Sequence, residues 1–336
     1  MPLPVYFAPL QGLTEDAYRR SHNEICRGIA EYYTPFLRME HGEIRKKDNL
    51  GIRPEFNVKV PLVIQVIARD GEEMQQLLTG IQQQKKNWET KLAALQAQGC
   101  SDMGNFTTWA NREKTLIDVN MGCPFPLQVD HGRGAGVLLC PEKVREICEV
   151  MKEHTECEFS VKMRLGVYDA RDWKQVLPIL NDSPLRHITL HPRIAKQMYK
   201  GNADREAFHS FAAMCEKPLV YNGDLMSVED ILAVEQEFPS LAGVMIGRGL
   251  LARPTLAKEY QTGVSVTQSE LTSSFIRMHE SLYRYYSGTI PGDEQLLRKM
   301  QAFWEYAEPT FGRKAIKKIV KAGNMRNYLK AVDGLV

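Results

Sequence analysis

The sequence predicts an α/β fold, a (β/α)8 TIM barrel followed by a C-terminal all-helical domain, and three observations carry that expectation. Eight short apolar, β-rich runs recur through the first 250 residues, stretches of helical periodicity separate them, and strand character stops near Leu251. The 336 residues suffice for a barrel of about 250 residues plus a smaller unit, which sets expected domains of 1–250 and 251–336.

The runs are Val5–Ala8, Tyr32–Phe36, Leu62–Ile67, Leu116–Asn120, Phe159–Met163, His187–His191, Leu219–Asn222 and Val244–Ile246. Between them, Gly71–Gly80, Pro141–His154 and Ser227–Glu237 space their apolar residues as amphipathic helices do. An open doubly wound sheet is the rival architecture, but a count of eight and polar residues at the strand ends favour closure. The stretch Gln82–Lys114 exceeds what one helix and its connections need, so a helix followed by an insertion on the barrel rim is expected, with Gly99–Asn105 as its polar, glycine-containing piece. Past Leu251 the pattern reads as helices only, over Leu271–Tyr286, Glu294–Tyr306 and Arg313–Leu329.

Composition narrows the class. Hydrophobic content of 43% and charged content of 25% are those of an ordinary globular protein and exclude long disorder. The start MPLPVYFAPL has no basic leader, and no apolar run approaches the roughly 18 residues of a membrane span, so a cytoplasmic protein is expected. Seven cysteines without a C-x-x-C pair suggest neither a disulfide framework nor a zinc site. Charge is uneven: residues 251–336 hold 13 Lys and Arg against 8 Asp and Glu, whereas residues 1–250 hold 30 against 33. A basic tail argues for an anionic partner.

Barrel enzymes place their chemistry where strands end at the carboxyl edge. The fourth run leads through Asp118-Val119-Asn120 into Met121-Gly122-Cys123-Pro124, which sets Cys123 in a turn at the mouth. A single cysteine is more often a buried loop thiol, but position at a strand end outweighs that reading. Lys162 alternates with apolar neighbours in Val161-Lys162-Met163-Arg164 and so points into the barrel, where an ammonium needs an anion or an electron-rich ring. His191 and Arg193 add cationic or hydrogen-bonding groups to the same rim. The turns Asn222-Gly223-Asp224 and Gly247-Arg248-Gly249 end the last two runs, the usual phosphate seat of this architecture. A phosphate-bearing cofactor is expected there, and with G-x-G-x-x-G absent it is not a Rossmann-held NAD.

These pieces resemble the tRNA-dihydrouridine synthase family: Ala8-Pro9-Leu10, Gln65, Asp118-Val119-Asn120-Met121-Gly122-Cys123-Pro124, Ser160-Val161-Lys162-Met163-Arg164-Leu165-Gly166, His191 to Tyr199, Asn222-Gly223-Asp224 and Ile246-Gly247-Arg248-Gly249, in the right order across the barrel. Pro192 stands where glycine is usual and Ile194 where threonine is usual. The resemblance implies FMN held by Pro9, Leu10, Gln11, Gln65, Lys162, His191, Asn222, Gly223, Asp224, Gly247 and Arg248. It further implies Cys123 as general acid, NADPH or NADH as a transient reductant, and tRNA as substrate, with no obligate protein partner.

In that reaction hydride reaches C6 of a uracil and a proton must reach C5, a task that suits a thiol. Asn120 and Arg193 are the expected contacts to the base. In the tail, Arg313 to Lys330 carries seven basic residues and no acid, and the spacing of Lys314, Lys317, Lys318 and Lys321 puts four lysines on one helix face toward RNA. Arg133 and the Gln82–Lys114 insertion are the fallback RNA contacts. Two alternatives stay open: an FMN barrel oxidoreductase acting on a small pyrimidine such as dihydroorotate, and a noncatalytic RNA-binding factor.

Overall fold

The computed structural model describes residues 1–52, 60–97, 109 and 112–335. β1 (Val5–Phe7) leads into α1 (Asp16–Ile25), and β2 (Glu31–Tyr33) into a hairpin of β3 (Met39–Glu40) and β4 (Glu43–Ile44) and a short α2 (Lys46–Asn49). There follow β5 (Leu62–Val66), α3 (Gly71–Ala97), β6 (Thr115–Met121), α4 (Pro126–Val129), α5 (Pro141–Glu153), β7 (Cys157–Gly166) and α6 (Trp173–Asn181). The barrel ends with β8 (Leu185–Ile194), α7 (Arg205–Ala212), β9 (Leu219–Tyr221), α8 (Val228–Glu237) and β10 (Gly243–Ile246). Eight parallel strands close in the order β1-β10-β9-β8-β7-β6-β5-β2, the barrel that the eight runs predict.

The alternation along the strands decides what fills the interior. Ala8, Tyr33, Val63, Leu116, Val220 and Met245 form an apolar cluster of their own, separate from the larger core under the helices. Polar groups lie closer to the carboxyl ends: Gln65 pairs in register with Asp118 and Asp118 with Ser160, and one step up β6 Asn120 pairs with Lys162. The hydrophobic plug therefore supports a polar layer directly beneath the mouth.

Two connections differ from expectation. After β2 the helical layer is replaced by the hairpin, whose Ile44 packs so close to Gly80 that a Cβ there would meet Ile44 Cδ1 at 2.7 Å. Helix α3 does not stop at Gly80 but continues to Ala97, 27 residues or about 40 Å. A helix that starts at a strand's carboxyl end runs back toward the opposite face. Gln82 accordingly hydrogen-bonds Glu156 and His154, which lie just before β7, and Lys85 donates to the carbonyl of Arg112 at 3.0 Å. The Gln82–Lys114 stretch, expected on the barrel rim, thus begins and ends on the face opposite the strand carboxyl ends; Gly99–Asn105 lies outside the described residues.

The tail comprises α9 (Arg248–Ala252), α10 (Leu256–Thr262), α11 (Gln268–Thr289), α12 (Asp293–Phe303), α13 (Glu308–Phe311), α14 (Arg313–Val320) and α15 (Met325–Asp333). α10 packs on the barrel: the Tyr260 hydroxyl accepts from Leu3 N and donates to Glu235 of α8, both at 2.8 Å. α11 to α15 gather around Phe275, Phe303, Trp304 and Tyr328. They dock on the barrel through Lys299 to Glu15 (2.7 Å) and Tyr285 to Asp16 (3.2 Å). The single helix expected over Arg313–Leu329 is two helices. Asn324 Oδ1 accepts from Asn327 N at 2.9 Å and caps α15, so the chain leaves the helix at Lys321 and restarts. Among the described residues no helix is long and apolar enough to cross a membrane.

Candidate active site

One cavity of about 940 Å³, open mouth included, lies at the carboxyl ends of the strands. Pro9, Leu10, Gln11, Gln65, Asn120, Cys123, Lys162, His191, Asn222, Gly223, Asp224, Gly247 and Arg248 all line it, although they are spread over 240 residues of sequence.

Cys123 is 7% exposed, in the turn that follows β6. Its backbone N–H donates to Asn120 Oδ1 at 2.8 Å, and its carbonyl accepts from Ala135 N at 3.0 Å. Gly134, at φ 58°, leans on it so closely that a Cβ would sit 2.7 Å from Cys123 Cβ. Only glycine fits that approach. Burial pushes the Cys123 thiol above its ordinary pKa, while a backbone hydrogen bond and the charges of Arg164 and Lys162 pull the other way. The group is a thiol, not a thiolate, with cations at hand for the anion it would become.

Lys162 projects from β7 into the cavity and makes no hydrogen bond or ion pair among the described residues. Burial, reinforced by Arg164, holds its ammonium down to about 8, with Asp118 opposing. Its register partner Thr189 buries an Oγ1 that also lacks a partner among the described residues. Arg164, two residues on, donates to the carbonyls of Ile194 (3.0 Å) and Met198 (2.7 Å) and lies 5.5 Å from the Tyr199 ring. Arg248 approaches the same ring at 4.8 Å and donates to Asp224 Oδ1 at 3.1 Å. Three cations against one exposed carboxylate make the mouth electropositive, a setting for an anionic ligand.

His191 Nε2 lies 2.9 Å from Arg193 Nη1. A guanidinium can only donate, so Nε2 is the acceptor and a neutral ring carries its proton on Nδ1. Burial first, then Arg164, Lys162 and the other guanidiniums, keep this imidazole well below its ordinary pKa. His191 is a fixed neutral donor.

One expected base contact, Arg193, lies elsewhere, and the other, Asn120, keeps its place at the cavity. Arg193 is 1% exposed, does not line the cavity, and spends its guanidinium on His191, on Asp224 Oδ2 (2.6 Å) and on the carbonyl of Gly201 (2.5 Å). Because β8 runs on to Ile194, Arg193 stays inside the strand and braces the Asp224 turn from behind. Burial alone would raise the Asp224 carboxyl, but that hydrogen bond holds it below its usual range. Asn120 lines the cavity, yet its oxygen is committed to Gly122 N (3.0 Å) and Cys123 N and its nitrogen donates to Gln65 Oε1 (2.9 Å). It shapes the turn. The fallback contact Arg133 is also occupied, by Glu73, at 2.9 Å between Nε and Oε2.

Lys314, Lys317, Lys318 and Lys321 lie outside this cavity, exposed on α14 and the residue past its end, opposite the buried Ile316 and Ile319. Glu305 and Glu308 border the same surface beside Lys317 and Lys321. The chain between, at Tyr306, comes close enough to Tyr199 and Arg248 for both to influence its hydroxyl, which burial raises above its usual value. Glu305 and Glu308, which border the lysine face, thus flank Tyr306 in sequence. Residue reading missed Gly134 and gave Tyr199 and Arg164 no role; the doubled charge in Lys162-Met163-Arg164 and the glycines flanking Ala135 were the available signals.

Residues 80–327 match the family model described as dihydrouridine synthase. The chain is 28% identical over 207 residues to a probable tRNA-dihydrouridine synthase of Helicobacter pylori, covering 61% of each protein. It is 31% identical over 176 residues to a probable tRNA-dihydrouridine synthase of Staphylococcus aureus, covering 51% of this chain and 52% of that one. The chain thus spans between half and two thirds of the length of these relatives. Among solved structures, morphinone reductase aligns over 80% of this chain and 88% of its own at 10% identity, with a TM-score of 0.46, a likeness too weak to bear on function.

Proposed function

The chain belongs to the dihydrouridine synthase family, and from that premise we propose that it reduces the C5=C6 bond of a uridine in tRNA to 5,6-dihydrouridine, with FMN as bound cofactor and NADPH or NADH as reductant. The observation that carries the proposal is the pairing of a protonated, buried thiol, Cys123, with an unpartnered ammonium, Lys162, in one electropositive cavity.

The donor set fits FMN. An isoalloxazine offers carbonyl oxygens and a polar pyrimidine edge to Lys162, Gln65 and the His191 Nδ1–H, and a phosphate suits Arg248 and the amides of the glycine turns. Gly247, without a side chain, lines the cavity beside Arg248. Pro9, Leu10, Gln11, Asn222, Gly223 and Asp224 would complete the holding surface. When bound, FMN supplies the hydride for C6 of the base and is recharged by the nicotinamide.

The chain's own residues then manage charge and proton. Hydride at C6 leaves an enolate on the uracil, and Cys123 donates its proton to C5. Lys162 and Arg164, which already lower the thiol's pKa, stabilise the thiolate until it is reprotonated. Burial that keeps Cys123 a thiol and cations that tolerate its anion are the two requirements of a general acid near neutral pH.

A stacked base reaches this cavity only when turned out of the RNA, so the surrounding nucleic acid must be gripped. We assign that grip to residues 251–336, with the face of Lys314, Lys317, Lys318 and Lys321 contacting phosphates. A tRNA substrate supports a cytoplasmic location. The test is to incubate purified protein, NADPH and unmodified tRNA and measure dihydrouridine by mass spectrometry. A yellow, FMN-containing protein that forms dihydrouridine is expected; NADPH oxidation on a free pyrimidine without tRNA turnover would replace the reading.

A further inference from the structure

A buried carboxylate stands at the root of the turn that carries Cys123. Asp118 is fully buried; its Oδ2 accepts from Gln65 Nε2 at 2.8 Å and its Oδ1 from Ser160 Oγ at 2.7 Å. Gln65 Oε1 accepts from Asn120 Nδ2 at 2.9 Å, and Asn120 Oδ1 accepts from the N–H groups of Gly122 (3.0 Å) and Cys123 (2.8 Å). Gln65, Asp118 and Ser160 sit side by side on three adjacent strands, and none of the four side chains exceeds 9% exposure.

The polarity of this chain is fixed from both ends. Backbone N–H groups only donate, so Asn120 must turn its oxygen to the turn and its nitrogen to Gln65. Gln65 must then offer oxygen to Asn120, which leaves its nitrogen for Asp118. An ionised carboxylate only accepts, so the last link closes without conflict. Reversing either amide would set donor against donor at the turn or acceptor against acceptor at Asp118, inside a layer with little access to water.

We propose that Asp118 is a positioning residue for the proton donor: its carboxylate fixes the orientation of the Gln65 and Asn120 amides and thereby holds the Gly122–Cys123 turn that aims the thiol into the cavity. Its catalytic meaning rests on the reading of Cys123 as the acid; its geometry does not. Burial raises the Asp118 carboxyl, and the hydrogen bonds from Gln65 and Ser160 with the charge of Lys162 work to keep it an acceptor.

A swap of the acceptor between two positions tests the direction of the relay. Gln65→Glu sets a second carboxylate against Asp118 and removes the donor between them. Adding Asp118→Asn restores the order, because the amide at position 118 donates to the new carboxylate, whose other oxygen still accepts from Asn120. The readout is the rate at which iodoacetamide alkylates Cys123 in the full-length protein, followed by peptide mass spectrometry, which needs neither tRNA nor turnover. Gln65→Glu is expected to shift that rate by about tenfold, the size of one buried hydrogen bond lost, and the double variant to return to within about threefold of wild type. Should Gln65→Glu not fold, the double variant must fold and alkylate like wild type. A wild-type rate in Gln65→Glu, or a double variant as impaired as the single, overturns the relay. A restored alkylation rate in protein that forms no dihydrouridine upholds the relay and removes the functional reading instead.

Discussion

The cavity mouth and the lysine face of α14 are both electropositive, but they hold charge in opposite ways. At the mouth Asp224 is tied to two guanidiniums, Asn120 to three groups, and His191 to Arg193, so these groups are fixed in place around Lys162, which has no partner among the described residues. On α14 the lysines stand in solvent, with Glu305 and Glu308 as neighbours and no fixed geometry. The first region works by position and the second by the number of charges. Losses at the mouth should therefore be steep and indifferent to salt, and losses on the helix graded and salt-dependent.

The steepest break is expected at Gly134→Val. A side chain there enters the space of Cys123 Cβ from a left-handed backbone, so uridine reduction should fall on the order of a thousandfold, as for loss of a general acid. tRNA affinity, measured by filter binding, should stay unchanged. Charge reversal at Lys314, Lys317, Lys318 and Lys321 gives the complementary result: affinity for tRNA drops by roughly a hundredfold, and the slope of log affinity on log salt flattens by about 0.7 to 0.9 per lost contact. FMN content and NADPH oxidation should not change. A salt slope that does not move would transfer the RNA contact elsewhere.

Lys162→Met should weaken FMN binding by about thirtyfold, read by equilibrium dialysis, because a charged hydrogen bond in a partly buried site is lost. The smallest effect is one of pH. With its ammonium held down to about 8, Lys162 is charged below that value and neutral above it. FMN affinity should weaken by a few-fold as pH rises through and past about 8, while in Lys162→Arg, whose cation does not titrate there, it should stay flat. A flat wild-type profile would show that the ammonium does not face the cofactor.

The barrel was legible because its strands are short apolar runs closed by polar ends, and burial on both sides leaves that signature. Cys123, Lys162, His191 and the glycine turns were legible for the same reason: a strand end fixes where a side chain lies. It does not fix whom the side chain meets. Arg193 reads as a rim cation, but one further residue of β8 turns it beneath Asp224. Asn120 reads as a ligand contact and lines the cavity, and its amide also closes a turn three residues long, which the sequence did not reveal. A helix beginning at Gln82 was legible, but not that it continues α3 without a break through Gly80, because glycine reads as a stop and the Gln- and Lys-rich surface carries little amphipathic signal. Asn324 could have marked the break between α14 and α15, but the run of basic residues masked the cap.

The account turns on Cys123 as the group that protonates the reduced base, and single-turnover kinetics test that most directly. Wild type and Cys123→Ala are reduced with NADPH in a stopped-flow instrument, then mixed with unmodified tRNA, and flavin reoxidation is followed by absorbance. Flavin reduction should proceed at the same rate in both, whereas reoxidation by tRNA should slow by at least about a hundredfold in the variant. Reoxidation of Cys123→Ala at the wild-type rate would contradict the account and assign the proton to another group at the mouth.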